Sequence, residues 1–180
     1  MKEYLVFDLE TQRSAHEVGG WHNARDMGLS CAVVYASDTQ QFETYYEKDV
    51  KDLVERLTRA DLVVGFNTLG FDYKVLAGYF SFDCQAINSL DLLADLHRRL
   101  KFRVSLDNVA QATLREKKSA DGLQALTWWR EGRVDKIVDY CRQDVLVTKN
   151  VYEFGLENDF VRYRRKNGEQ AMVVVDWKAQ

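Results

Sequence analysis

Tyr4-Leu5-Val6-Phe7-Asp8-Leu9-Glu10-Thr11 limits the folds open to this chain more than any other stretch. Four apolar residues run straight into two carboxylates. A short run of aromatic and β-branched residues reads as a buried strand. Side chains alternate along a strand, so Asp8 and Glu10 share one face while Leu9 turns to the other. Two ionised carboxylates side by side at the end of a buried strand repel each other. A divalent cation between the oxygens removes the conflict, because hard cations take oxygen ligands. The chain carries 28 acidic residues, so an Asp-x-Glu arises easily by chance and gains meaning only if further acids converge on it.

The bulk properties narrow the classes. With 180 residues the chain is expected to form a single domain spanning 1–180, with its core over about 1–157. No apolar run approaches the length of a membrane span, and the first residues lack the basic-then-apolar pattern of a signal peptide. Cys31, Cys84 and Cys141 are odd in number and scattered. That usage reads as buried thiols in a reducing compartment, the cytoplasm, rather than a disulfide frame. The net charge of −3 argues against bulk electrostatic attachment to nucleic acid and leaves room for a local basic groove. There is no proline, so the turns rest on Gly, Asn, Asp and Ser.

Along the chain, residues 12–30 show no sustained period and carry Gly19, Gly20 and Gly28. They read as a long loop. Arg13, His16, Trp21, His22 and Arg25 could serve a nucleotide there, or could simply be solvated around a packed Trp21. Strands are expected over 31–35 and 41–46, with a turn at 37–40, giving an antiparallel meander with the first strand. Residues 48–60 form an amphipathic helix on Val50, Leu53, Val54 and Leu57. Residues 61–66 return to strand. Gly65-Phe66-Asn67-Thr68-Leu69-Gly70-Phe71-Asp72 then turns into a helix reaching about residue 80, with Asp72 in its first turn. A strand over 86–90 precedes a helix striped by Leu92, Leu93, Leu96 and Leu100, which also carries His97. Ser105 is the expected N-cap of the next helix. Lys117-Lys118 opens a polar connector reaching Gly122, and Trp128 and Trp129 are expected mostly in the core.

The longest helix is expected over 133–157, striped by Ile137, Cys141, Val145, Thr148 and Tyr152. Tyr140 and Asp144 lie four apart and so occupy one face of it. Phe160 to Lys166 alternates into Asn167-Gly168, a strong hairpin turn signal, with a return strand up to Trp177. Arg162, Arg164, Arg165 and Lys166 make a basic cluster there. It reads first as a solvated edge and second as a nucleic-acid contact.

Three motifs now stand in order: Phe7-Asp8-Leu9-Glu10-Thr11 ending a strand, Asn67 to Asp72 opening a helix, and Tyr140-Cys141-Arg142-Gln143-Asp144 inside a later one. In this the chain resembles the DEDD superfamily of 3′→5′ exonucleases over roughly residues 4–150. Tyr140 four before the last acid, with Asp139 where another branch has His, matches the tyrosine (DEDDy) branch. The resemblance implies an α/β, ribonuclease-H-like fold: a mixed five-stranded sheet, three strands antiparallel and then two parallel, flanked by helices. The C-terminal β-hairpin over about 159–177 is an addition outside the shared core.

The resemblance also implies chemistry. Asp8, Glu10, Asp72 and Asp144 would hold two Mg2+ ions, with Mn2+ as the substitute. Asp8 would bridge them, Glu10 and Asp144 would complete the site beside the nucleophile, and Asp72 would serve the second ion through water. Tyr140 would orient the attacking water, and Thr11, Asn67 and Phe71 would grip the terminal nucleotide. The implied partner is a nucleic acid with a free 3′ end, DNA or RNA, expected as a single strand with a duplex end left open, and the product a nucleoside 5′-monophosphate. The hairpin could add a protein partner or a homo-oligomer contact. The competing expectations are a nucleic-acid-binding module without turnover, an accessory subunit docked through the hairpin, and a phosphohydrolase of small phosphoesters.

Overall fold

The computed structural model describes residues 3–115 and 122–179. The Lys117-Lys118 connector lies outside the described residues. The architecture is the mixed sheet with flanking helices. β1 (Leu5–Thr11) pairs antiparallel with β2 (Leu29–Ala36), and β2 antiparallel with β3 (Gln41–Tyr45). β4 (Val63–Gly65) lies parallel to β1, and β5 (Ser89–Asp91) parallel to β4. The spatial order is β3-β2-β1-β4-β5, which puts β1 at the centre. The return from β3 to β4 runs through α1 (Val50–Thr58), whose Val50, Leu53, Val54 and Leu57 are all buried, as their spacing predicts.

The alternation of β1 divides the interior in two. Leu5, Phe7 and Leu9 face one core with α1 and the short helix α2 (Asp72–Leu76). Tyr4 and Val6 face the other core, filled by Ile137, Cys141, Val145 and Val151 of α6 (Val134–Asn158). Asp8 and Glu10 share the parity of Tyr4 and Val6. They are therefore turned toward α6, the helix that carries Tyr140 and Asp144. The expected α6 stripe is buried along its length.

α3 (Leu92–Leu100) follows β5 directly, with Asp91 accepting from the N–H of Ala94 as its N-cap. α4 (Leu106–Leu114) starts at Ser105, whose hydroxyl accepts from the N–H of Asn108, as expected. α5 (Gly122–Arg130) carries Trp128 and Trp129, both half-buried against the α6 side of the sheet. β6 (Phe160–Arg164) and β7 (Gln170–Val174) form the C-terminal hairpin as a separate two-stranded sheet.

Four expectations need correction. The helix after residue 71 ends at Leu76 instead of about residue 80: the chain tightens there, the N–H groups of Gly78 and Tyr79 donating to the carbonyls of Val75 and Leu76, three residues back. The fifth strand begins at Ser89, and Cys84–Ala86 is a 3-10 turn. Cys84 is exposed, whereas Cys31 and Cys141 are buried. Residues 12–30 are not structureless. Trp21–Asp26 forms a 3-10 segment, Ala24 and Met27 are buried, and Gln12 Nε2 donates to the carbonyl of Leu29 at 2.8 Å. Tertiary burial of two apolar side chains orders a segment that has no period of its own. No helix among the described residues is long and apolar enough to cross a membrane.

Candidate active site

Asp8, Glu10 and Asp144 meet on the α6 side of β1. One carboxylate oxygen from each lies within 4.8 Å of the other two. Period two brings the strand acids to one face, and the packing of Ile137, Cys141 and Val145 brings α6 across them. Tyr140 sits one helical turn from Asp144 and hydrogen-bonds to it. Its ring also meets Trp128 edge-on at 6.4 Å between centroids. Beneath the acids, the thiol of Cys141 donates to the backbone carbonyl of Asp8 at 3.4 Å and to its Oδ2 at 3.6 Å. Sequence reasoning assigned Cys141 to the apolar stripe alone. Its position three before Asp144, on the same face, is the signal that it also reaches the site.

Asp72 stands beside this trio but outside its tightest grouping. It is 2% exposed, and its Oδ1 has no hydrogen-bond partner among the described residues. A buried carboxylate oxygen left unpaired is costly. The electrostatics agree. Asp8 and Glu10 are both pushed well above the ordinary carboxylate range. Burial is the main cause, followed by the charge of Asp72 and Asp144 on Asp8, and of Asp144 on Glu10. Burial also raises Asp72 to about 7, against hydrogen bonds from the backbone of Asp72 and Leu9. Burial, then the charges of Asp144 and Glu10, keep the Tyr140 phenol protonated far above neutral pH.

The donor set is all oxygen, anionic and mutually repelling, with one oxygen unpaired. It fits hard divalent cations, and Asp8, Glu10 and Asp144 could hold one.

A stability consequence follows. Acids whose pKa is raised on folding keep protons that the unfolded chain has already lost. Stability then falls as pH rises from the unfolded carboxylate value, near 4, through about 7 for Asp72. In chelator, the urea midpoint at about pH 8 should lie below that at about pH 5. Added Mg2+ or Mn2+ should raise the midpoint more at the higher pH, because its ligands must be deprotonated. A midpoint that rises with pH in chelator would contradict this electrostatic picture.

A cleft of about 630 Å3 adjoins Glu10 and is lined in part by Thr11, Asn67 and Phe71, the three residues expected to grip a nucleotide. Arg13, His16 and Trp21 from the 12–30 segment line it too, whereas His22 and Arg25 do not. Trp21 is 71% exposed and meets Phe71 edge-on at 5.7 Å. Arg130 of α5 pairs with Glu17 at 2.8 Å, tying this segment to α5.

Asp91 went unnoticed in the sequence because its partners are remote. Buried, it accepts from the N–H groups of Asn67 at 2.8 Å and Leu69 at 3.1 Å, while also capping α3. It thereby fixes the turn in which Asn67 adopts a left-handed φ of 73°. The only local signal was an Asp directly before the Leu92 stripe.

The profile of a family described as RNase_H superfamily matches residues 5–154, which contain β1, all four acids and Tyr140. The chain belongs to the RNase_H superfamily. Among solved structures, this RNase_H superfamily chain is similar to the family B DNA polymerase from the hyperthermophilic archaeon Pyrobaculum calidifontis. The TM-score is 0.65 at 17% identity, with 87% of this chain and 25% of that one covered. The chain thus spans about a quarter of that polymerase, and the likeness is one of fold. No curated protein matches the chain.

Proposed function

We propose that this RNase_H superfamily chain is a divalent-cation-dependent 3′→5′ exonuclease of the tyrosine branch, releasing nucleoside 5′-monophosphates from DNA or RNA. The observation that carries the reading is the meeting of Asp8, Glu10 and Asp144 within 4.8 Å, with Tyr140 bonded to Asp144. The cleft beside Glu10, lined by Thr11, Asn67 and Phe71, supports an occupant the size of a strand end.

Asp8, Glu10 and Asp144 would hold Mg2+ or Mn2+, and Asp72, with its unpaired Oδ1, would serve a second ion. When bound, such ions supply acidification of water and neutralisation of phosphoryl charge. The remaining work falls to the protein. Tyr140 keeps its proton, so it is no base. With that proton directed at Asp144, its oxygen can accept a hydrogen from the attacking water and aim it. Phe71 and Trp21 offer ring surfaces to the terminal base, and Asn67 a polar contact. The water oxygen bonds to phosphorus, the bond to the 3′ oxygen breaks, and the proton lost by water is returned through solvent to the new 3′ hydroxyl.

The test uses oligonucleotides of DNA and of RNA, labelled at either end, with Mg2+, Mn2+ or chelator. The expected result is release of the 3′ label as mononucleotide while the 5′-labelled strand shortens stepwise, all abolished by chelator. Binding without release would favour a nucleic-acid-binding module, and first release of the 5′ label would overturn the polarity.

A further inference from the structure

A second cleft, of about 450 Å3, opens between the segment joining α3 to α4 and the C-terminal hairpin. Phe102, Arg103, Ser105, Tyr163, Arg165 and Lys166 lie around it. Its walls are locked together. Asn108 of α4 accepts from the N–H of Arg164 at 2.7 Å and donates to its carbonyl at 2.9 Å. Thr113 makes the same two-way pairing with the backbone of Arg162, at 2.9 and 3.0 Å. The outer edge of β6, otherwise open to another strand, is thus satisfied by helix side chains. The basic cluster is therefore not needed to guard that edge.

The contents of the cleft are those of a strand-binding groove. Phe102 is 47% exposed and rests edge-on against the buried ring of Tyr163 at 5.7 Å. A fixed, exposed ring beside cations is a platform for an unstacked base. Arg103, Arg165 and Lys166 are exposed cations. Glu169, 3.7 Å from Arg165, offsets part of that charge. Ser105 brings the N-terminal end of α4, the positive end of its dipole, into the same wall. The walls of the two clefts are linked, since Arg103 Nη2 donates at 3.0 Å to Oδ1 of Asn67, which lines the first cleft.

We propose that the hairpin cleft carries a single-stranded polynucleotide toward the acidic site, with phosphates on Arg103, Arg165 and Lys166 and a base on Phe102. This rests on the nuclease reading, which places the strand's end in the first cleft. A single strand is favoured over a duplex because only unstacked bases offer a face to Phe102. It is favoured over an acidic peptide because the exposed ring sits among the cations.

The test is fluorescence anisotropy in chelator with the full chain, using a 5′-labelled trinucleotide and twelve-nucleotide oligo(dT) and oligo(rU). Wild type should bind either twelve-mer at least about tenfold more tightly than the trinucleotide. Arg165→Glu with Lys166→Glu should erase that advantage and lower the salt slope by about 1.4, about 0.7 for each lost phosphate contact. Phe102→Ala should weaken twelve-mer binding about tenfold, the loss of one stacked base, while leaving the salt slope unchanged. All three substitutions alter exposed side chains, and thermal melting confirms that the variants fold. Twelve-mer binding and salt slope unchanged in both variants would overturn the cleft assignment, whatever the nuclease assay shows. Conversely, wild type releasing no 3′ nucleotide while the variants bind less tightly would sink the exonuclease and uphold the cleft.

Discussion

In the proposed exonuclease, Asp8→Asn is expected to cut mononucleotide release on the order of a thousandfold, and at the same time to raise the melting temperature of the metal-free protein. The two effects share a cause. Asp8 offers an oxygen within 4.8 Å of oxygens from Glu10 and Asp144, and its proton affinity is raised by burial and then by the charges of Asp72, Asp144 and Glu10. In chelator those charges oppose one another, and Asn removes one of them while keeping the shape. Asn also leaves an oxygen to accept from the thiol of Cys141. Relief of about 1–2 kcal/mol corresponds to roughly 3–6 °C in a domain of this size. With cation present the balance reverses, because the site has lost an anionic ligand. A loss of about 4 kcal/mol in transition-state stabilisation is about a thousandfold in rate. The readouts are thermal denaturation with and without Mg2+, and release of a 3′ label. A variant that melts lower in chelator than wild type would refute the repulsion, and one that keeps wild-type release would refute the site.

Trp177→Ala will destabilise the protein by about 4 kcal/mol, the range for emptying a large buried aromatic site, lowering the melting temperature by roughly 8–16 °C. Trp177, which follows β7, is 2% exposed. Its ring lies so close to Gly155 of α6 that any Cβ there would clash with it. It also stacks obliquely on Tyr152 at 6.0 Å, and its Nε1–H donates to Oδ2 of Asp95 at 2.9 Å. Val161, Tyr163, Val173 and Val175 are buried with it in the core that faces α6. Removing residues 159–180 would therefore expose apolar surface of α6 and of the α3 side, so such a truncation reports on stability before it reports on partners. Urea denaturation of Trp177→Ala measures the effect, and a change below about 1 kcal/mol would show that the hairpin is an appendage.

The hairpin marks a boundary of what the sequence could reveal. Asn167-Gly168 announced the turn, and Gly168 does adopt a left-handed φ of 87°. Which face would be buried was not legible. β7 carries Met172 and Val174 on one face and Ala171 and Val173 on the other, and both read as apolar. In the structure Met172 and Val174 are 60% and 65% exposed. The choice fell to α6, which offers Gly155 and Tyr152 to Trp177 and draws the Val173 face inward.

The acids divide in the same way. Period two in β1 put Asp8 and Glu10 on one face, and a four-residue step in α6 put Tyr140 with Asp144. Both are properties of neighbours in the chain, so both could be read from the order of residues. The meeting of strand and helix depends instead on apolar side chains far apart in sequence filling one core. The thiol of Cys141 on Asp8 spans 133 residues, and the grip of Asp91 on the Asn67 turn spans 24. Contacts of that reach leave no local period. They exist only once burial of apolar surface, which is indifferent to sequence distance, has folded the chain back on itself.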